Sequence, residues 1–398
     1  MESKIIKLLK RAIDNNDNSG INEFWSMVNK NGAPIIEEID GVLDYSLISF
    51  IYIGNDKTTN VLIYGGVPGY RYSENIMDKI EGTNIFYKTY KVRNDIKFKY
   101  NFSLNYEGDN DYKKIKENSI IDPLNPNKVI LCKDDEDKDD EDSISSFAKL
   151  PNCKGDFWTK ERDDIEKGKL FLDRVYSNIL NNDRRVWVYT PSGYSNKEKP
   201  YKLLVLTDGF DYINYLSIKN VLDNLISDKK IDPIVCVLVS SNDNRYEELT
   251  CNEKFADFIT LEILPWINSN YNVDITPQNH IIGGVSLGGL TASYIGYKYS
   301  NYFGNILSQS GSFWYEKEWL TEQYKNSEKL PLKFYLCAGL LEDYPYDDEP
   351  VMMEVINNMR DILLEKGYDV TYETFNSGHD YLGWGETLAS GLISLIGK

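Results

Sequence analysis

Residues 280–295 read His-Ile-Ile-Gly-Gly-Val-Ser-Leu-Gly-Gly-Leu-Thr-Ala-Ser-Tyr-Ile. Ile281 and Ile282 make a short apolar strand, and Gly284-Val285-Ser286-Leu287-Gly288 follows as a G-x-S-x-G motif. Behind it the small and apolar residues Gly288, Gly289, Leu290, Ala292 and Ile295 predict a helix. The pentapeptide alone is common by chance; the strand before it and the helix after it give it meaning. A strand, a sharp turn and a helix hold a serine hydroxyl at the apex, and the flanking glycines let strand and helix approach closely. The helix N-terminus also points free N–H groups and its positive dipole end at developing negative charge.

Outward from this turn the texture repeats. RRVWVYTP (184–191), YKLLVLTDG (201–209), PIVCVLVSS (233–241), GNILSQS (304–310), LKFYLCAG (332–339) and VTYETF (370–375) read as strands. Most are short apolar runs without polar alternation, as in parallel strands buried on both faces. Helical segments separate them. In 351–366 the residues Val351, Val355, Met359 and Leu363 recur at i, i+4, and Gly367 supplies a C-terminal cap. Alternating strands and helices predict an α/β fold, a doubly wound, mostly parallel sheet of the α/β-hydrolase kind, with its ligand crevice beyond the carboxyl ends of the strands.

Upstream the pattern differs. Ile5, Leu8, Leu9 and Ile13 have helical spacing. From about 45 to 131, runs such as LISFIYIG, NVLIYGG, NIFYKTYKV and FKYNFSL alternate with Gly, Asn and Asp, which predicts an antiparallel β-sandwich. Asp122-Pro123-Leu124-Asn125-Pro126 cannot run through a central strand, because two prolines remove ladder donors. Residues 134–142 read DDEDKDDED. Like charges repel and nothing apolar is present to pack, so a solvated spacer is expected there rather than a metal-binding tract. The expected domains are a sandwich over 1–132, an acidic linker over 133–149 and a catalytic domain over 150–398.

The formal net charge of −18 argues against nucleic acid and anionic lipid as partners. Cys132, Cys153, Cys236, Cys251 and Cys337 are odd in number, widely spaced and free of CxxC pairs, which predicts thiols in a reducing compartment. MESKIIKLLKRAIDNNDN lacks the apolar stretch of a signal peptide, and no run approaches the ~18 apolar residues of a membrane span. A cytoplasmic location is expected, with no metal or cofactor.

A serine needs a general base to become a nucleophile. The chain holds 2 histidines. His280 precedes the elbow strand and is expected at the opposite edge of the sheet, as a surface or capping residue. His379, in Asn376-Ser377-Gly378-His379-Asp380, follows the last strand and is the expected base. The acid comes between Ser and His in this fold. After LKFYLCAG, Glu342 is the first choice and Asp343 the second; Asp347, Asp348 and Glu349 read as solvated loop charges. The backbone N–H of Leu287 is the expected oxyanion donor, with that of Phe210 in Asp208-Gly209-Phe210-Asp211 as its partner.

RRVWVYTPSGY (184–194), LLVLTDG (203–209), NRYEELTCNEKFADFITLEILPW (244–266), GGVSLGGLTASY (283–294), SQSGSFWY (308–315) and NSGHDYLGWGETLASGL (376–392) together resemble the enterochelin (ferric enterobactin) esterase family. The likeness extends to Phe24-Trp25, to Met77–Thr83 and to the 122–126 segment, similar to that family's immunoglobulin-like N-terminal module. The resemblance implies a serine esterase acting on a catecholate trilactone siderophore, usually iron-loaded though the ferric or the free form could serve, with Ser286 as nucleophile, His379 as base and Glu342 as acid in a G-x-x-E pattern. It places Arg245 in the family's R-x-x-E-L segment, where a structural ion pair with Glu247 or Glu248 is the competing role. Trp314, Tyr315, Tyr381 and Trp384 are candidates to stack on catechol rings, with ordinary packing as the alternative. Leu287 stands where the family has an aromatic residue, and GWGETLASG lacks the family's Cys-Trp-Arg. Two other readings are a general or feruloyl-type carboxylesterase and a siderophore-binding protein without turnover.

Overall fold

The computed structural model describes residues 2–67, 72–108, 111–138, 140–343 and 350–398. Contacts divide the chain into two units, Met1–Lys133 with Glu141–Gly155 and Asn376–Asp380, and Asp134–Asp140 with Asp156–Phe375 and Tyr381–Lys398.

In the first unit two antiparallel sheets face each other. Ile35–Ile39, Val42–Ile53, Ile85–Arg93 and Asp78–Lys79 form one. Val61–Gly65, Lys97–Leu104, Ser143–Lys149 and Lys128–Leu131 form the other, with Ser119–Ile120 on its flank. Phe50 of the first meets Tyr100 of the second edge-on at 4.6 Å between ring centroids, so the aromatic residues that mark the strands fill the space between the sheets. Two helices, Lys4–Asp14 and Asn18–Asn31, pack Ile6, Leu9, Phe24 and Val28 against Ile35, Ile51, Ile80 and Ile85. The two-proline segment lies outside the strands, as its missing donors require. Buried Asp122 fixes it, accepting from the Tyr100 hydroxyl at 2.6 Å and the Leu124 N–H at 2.8 Å.

Among the described residues the second unit carries eight strands: β1 (Lys169–Ser177), β2 (Asn182–Thr190), β3 (Lys202–Leu206), β4 (Ile234–Val239), β5 (His280–Val285), β6 (Asn305–Gln309), β7 (Lys333–Gly339) and β8 (Asp369–Phe375). Their order is β1-β2-β4-β3-β5-β6-β7-β8. β1, β2 and β4 pair antiparallel and the rest pair parallel. β4, β5 and β6 are buried at every position, which is why apolar residues dominate their centres; the polar His280, Asn305 and Gln309 stand at strand ends. One core lies on each face of the sheet. The connection from β3 runs to β4 on one side and that from β5 to β6 on the other, so the switch point beyond which such sheets place a ligand crevice lies between β3 and β5.

Two expectations change. β1 was not read from the sequence because it is an antiparallel edge strand with Phe171 and Leu172 about half exposed, so KLFLDRVYS lacks the buried-strand signature. The acidic stretch is not one linker. Ser143–Lys149 is a strand paired to Lys97–Leu104, and Asp134–Asp140 groups with the second unit, where arginines draw it in.

Candidate active site

Ser286 sits between β5 and the helix Leu287–Lys298, at φ 56° and ψ −121°. That is a conformation L-residues avoid, and it persists only where the surroundings fix it. Fixing comes from the Ser286 N–H to the Gln309 carbonyl at 2.9 Å and from the Leu290 and Ser312 N–H groups to the Ser286 carbonyl, each at 3.1 Å. A Cβ on Gly284 would lie 2.4 Å from the Gly288 backbone, and one on Gly288 would lie 2.4 Å from the Thr207 hydroxyl. Strand and helix therefore cross at a distance only glycine permits.

The segment after β6 links Ser286 to Glu342. The Ser312 hydroxyl lies 3.3 Å from the Ser286 hydroxyl. Two residues earlier, Ser310 donates to Glu342 Oε2 at 3.0 Å and accepts from the Trp384 indole N–H at 3.0 Å. Glu342, 2% exposed, also accepts from the Gly339 N–H at 2.6 Å, whereas Asp343 is exposed. These donors fix the carboxylate in direction. Asp347, Asp348 and Glu349 lie outside the described residues. Ser310 and Ser312 were not singled out from the sequence; the signal was a pair of serines just past a buried parallel strand, where loops carry function.

His379 is half-buried in the loop that follows β8. The loop is tied by the Lys97 N–H to the Asn376 carbonyl at 3.0 Å, and by the Ser377 hydroxyl to the Lys97 carbonyl at 2.8 Å. Because β5, β7 and β8 run parallel, the segments carrying Ser286, Glu342 and His379 all follow carboxyl ends of strands. His280 stands at the amino end of β5, as expected. It is buried rather than on the surface, its ring nitrogens facing the carbonyls of Tyr302 and Asp274.

Leu287 and Phe210 are the first and second residues of the helices Leu287–Lys298 and Gly209–Asn214. N–H groups of a first turn have no acceptor within the helix, so both suit an oxyanion. Arg245 clamps neither Glu247 nor Glu248. Its guanidinium grips Asp208 with two hydrogen bonds of 2.7 Å, and Asp208 also accepts from Ser241. Glu248 instead pairs with buried Arg184. The Tyr381 hydroxyl donates to Asp211 at 2.7 Å, and its ring meets those of Tyr215 and Trp384. Trp314 is half-buried against the core at the start of the helix Tyr315–Asn326.

Burial, with Asp208 close by, pushes the Asp211 carboxyl up to about 7. A carboxyl raised above its unfolded value favours folding fully at pH below about 4 and loses that contribution as pH climbs towards about 7. Urea midpoints of the wild type should therefore fall across that window relative to Asp211→Asn, with a change of about 2 kcal/mol; parallel curves would show that Asp211 ionises as freely folded as unfolded.

The eight-stranded sheet with a strained serine at a strand-to-helix apex defines an α/β-hydrolase. The chain belongs to the Esterase family, whose model matches residues 177–395. An iron(III) enterobactin esterase of Escherichia coli O6:H1 is 31% identical over 229 residues, covering 55% of this chain and 55% of the relative. The chain thus spans about half the length of the curated relatives it matches. The enterobactin esterase FES from Shigella flexneri, crystallised in the presence of enterobactin, superposes with a TM-score of 0.72 at 24% identity, covering 94% of this chain and 97% of that one. The ferric enterobactin esterase of Salmonella typhimurium gives 0.74 at 22% identity, covering 94% and 98%. The resemblance read from the motifs is borne out, and the fold extends through both units. Among the described residues no helix is long and apolar enough to cross a membrane.

Proposed function

We propose that the protein is a cytoplasmic serine esterase that hydrolyses the ester bonds of a catecholate trilactone siderophore. The observation that carries the reading is Ser286, held at positive φ beside the buried, donor-held Glu342 segment. The likeness to iron(III) enterobactin esterases supplies the substrate class. Buried Cys236 and Cys337, whose thiols burial raises, fit a reducing compartment.

In this mechanism Ser286 attacks the ester carbonyl while His379 takes its proton. Glu342 orients the imidazole and stabilises its charged form. The N–H groups of Leu287 and Phe210 hold the tetrahedral oxyanion. His379 then protonates the departing alkoxide, and water, activated by the same imidazole, cleaves the acyl-serine to release acid. A trilactone raises the effective concentration of three bidentate arms around iron, and cutting it removes that advantage.

Incubation with enterobactin should give linear trimer, dimer and monomer by liquid chromatography, and a fluorophosphonate should label Ser286. Faster turnover of feruloyl sugars than of the trilactone would select the feruloyl-type carboxylesterase. Absence of both label and turnover would select a binding protein.

A further inference from the structure

At the carboxyl ends of β3 and β4 lies a cleft of about 290 Å³. It adjoins the elbow, because a Cβ on Gly288 would fall 3.2 Å from the Asp208 carboxylate that lines it. Among the described residues, four arginines and eight carboxylates line it. Each arginine is already engaged. Arg245 holds Asp208, and Arg184 holds Glu248. The other two are engaged by the acidic segment Asp134–Asp140. Arg185 grips Asp134 through both guanidinium nitrogens and stands 3.5 Å from Glu136, while Arg174 binds Glu136 at 2.7 Å. The segment is shaped for this, with the Glu136 N–H donating to the Asp134 carboxylate at 3.0 Å and the Asp134 N–H to Asp140 at 2.8 Å. Arg185 also stacks over the rings of Trp187 and Phe210, 5.1 and 5.9 Å from their centroids, so its charge sits beside the oxyanion turn.

We propose that Asp134 and Glu136 are specificity-determining residues: by occupying Arg185 and Arg174 they keep the cleft acidic, so that the site takes an uncharged, iron-free catechol ester in preference to an anionic ferric complex. The inference rests on the esterase reading above and deepens it. A ferric tris-catecholate is an anion that meets paired arginines and surplus carboxylates, and like charges at close quarters oppose binding. The iron-free ester is neutral, and its catechol hydroxyls are donors that carboxylates such as Asp183 and Asp243 of the cleft accept. The raised Asp211 carboxyl on the same wall reports a cleft that resists further negative charge.

The test compares kcat/KM for iron-free enterobactin and for its ferric complex, in the wild type and in Asp134→Asn/Glu136→Gln. The wild type should favour the iron-free ester, and the variant should shift the ratio about tenfold towards the ferric complex. A ratio that stays put overturns the proposal. Should the variant fail to fold, the wild type gives a second reading. Raising salt from about 50 to about 500 mM should speed the ferric complex relative to the iron-free ester, because screening relieves repulsion; a relative slowing overturns the proposal. If neither siderophore form turns over, p-nitrophenyl butyrate against the mono-p-nitrophenyl ester of succinate supplies the same neutral–anionic pair. Loss of p-nitrophenyl acetate turnover together with Ser286 labelling would remove the esterase reading itself, whereas an active enzyme with an unmoved ratio overturns this inference alone.

Discussion

Ser286→Ala and His379→Ala should each lower kcat for ester hydrolysis by about 10⁴–10⁶-fold, and the double variant should be scarcely worse than either. The two side chains act as one unit in the proposed mechanism. Without the imidazole the hydroxyl stays a weak nucleophile, and without the hydroxyl the imidazole has no proton to take. KM should move little, since neither removal empties the cleft. Ser286→Ala keeps the Cβ and the backbone donors that hold the elbow, so its melting temperature should match the wild type. Ser286→Gly should be equally inactive but more stable, by about 1 kcal/mol, because glycine accepts φ 56° without strain. A stable Ser286→Ala enzyme with undiminished turnover would remove this serine from the chemistry. An additive double variant would show that His379 acts elsewhere.

What was legible in the sequence follows from what burial does to residue choice. β4, β5 and β6 are buried on both faces, so apolar or small residues fill their centres and their positions read directly. The elbow was legible because glycine is the only residue that fits between Gly284 and the Gly288 backbone. β1 was not, because an edge strand facing solvent carries charge and no period stands out. The acidic run misled for a different reason. Nothing local in DDEDKDDED indicates a fold, and its order comes from Arg174 and Arg185, some 40–50 residues further along the chain. The ion pair of Arg245 was not legible. Glu247 and Glu248 are its neighbours in sequence, while Asp208 reaches it only through the packing of β3 against β4. Ser310 and Ser312 went unread because a serine carries no signature until its neighbours across the sheet are known.

The choice between two adjacent carboxylates, open in the sequence, now has a physical basis and a decisive experiment. Glu342→Gln should lower kcat by about 10³–10⁴-fold, whereas Asp343→Asn should leave it within about twofold. Glu342 is 2% exposed and receives N–H and O–H donors from Gly339 and Ser310, which fix its direction. An amide of the same shape keeps the packing but turns its own donors towards those of Gly339 and Ser310. It also removes the negative charge that stabilises an imidazolium. Asp343 is exposed, where water screens its charge and nothing described here aims it. Ser310→Ala gives the graded case. It deletes the hydroxyl through which the Trp384 indole and Glu342 communicate, and should cost about tenfold in kcat with KM little changed. A silent Glu342→Gln beside a crippled Asp343→Asn would reverse the assignment. Equal losses in both would mean that the two carboxylates share the task.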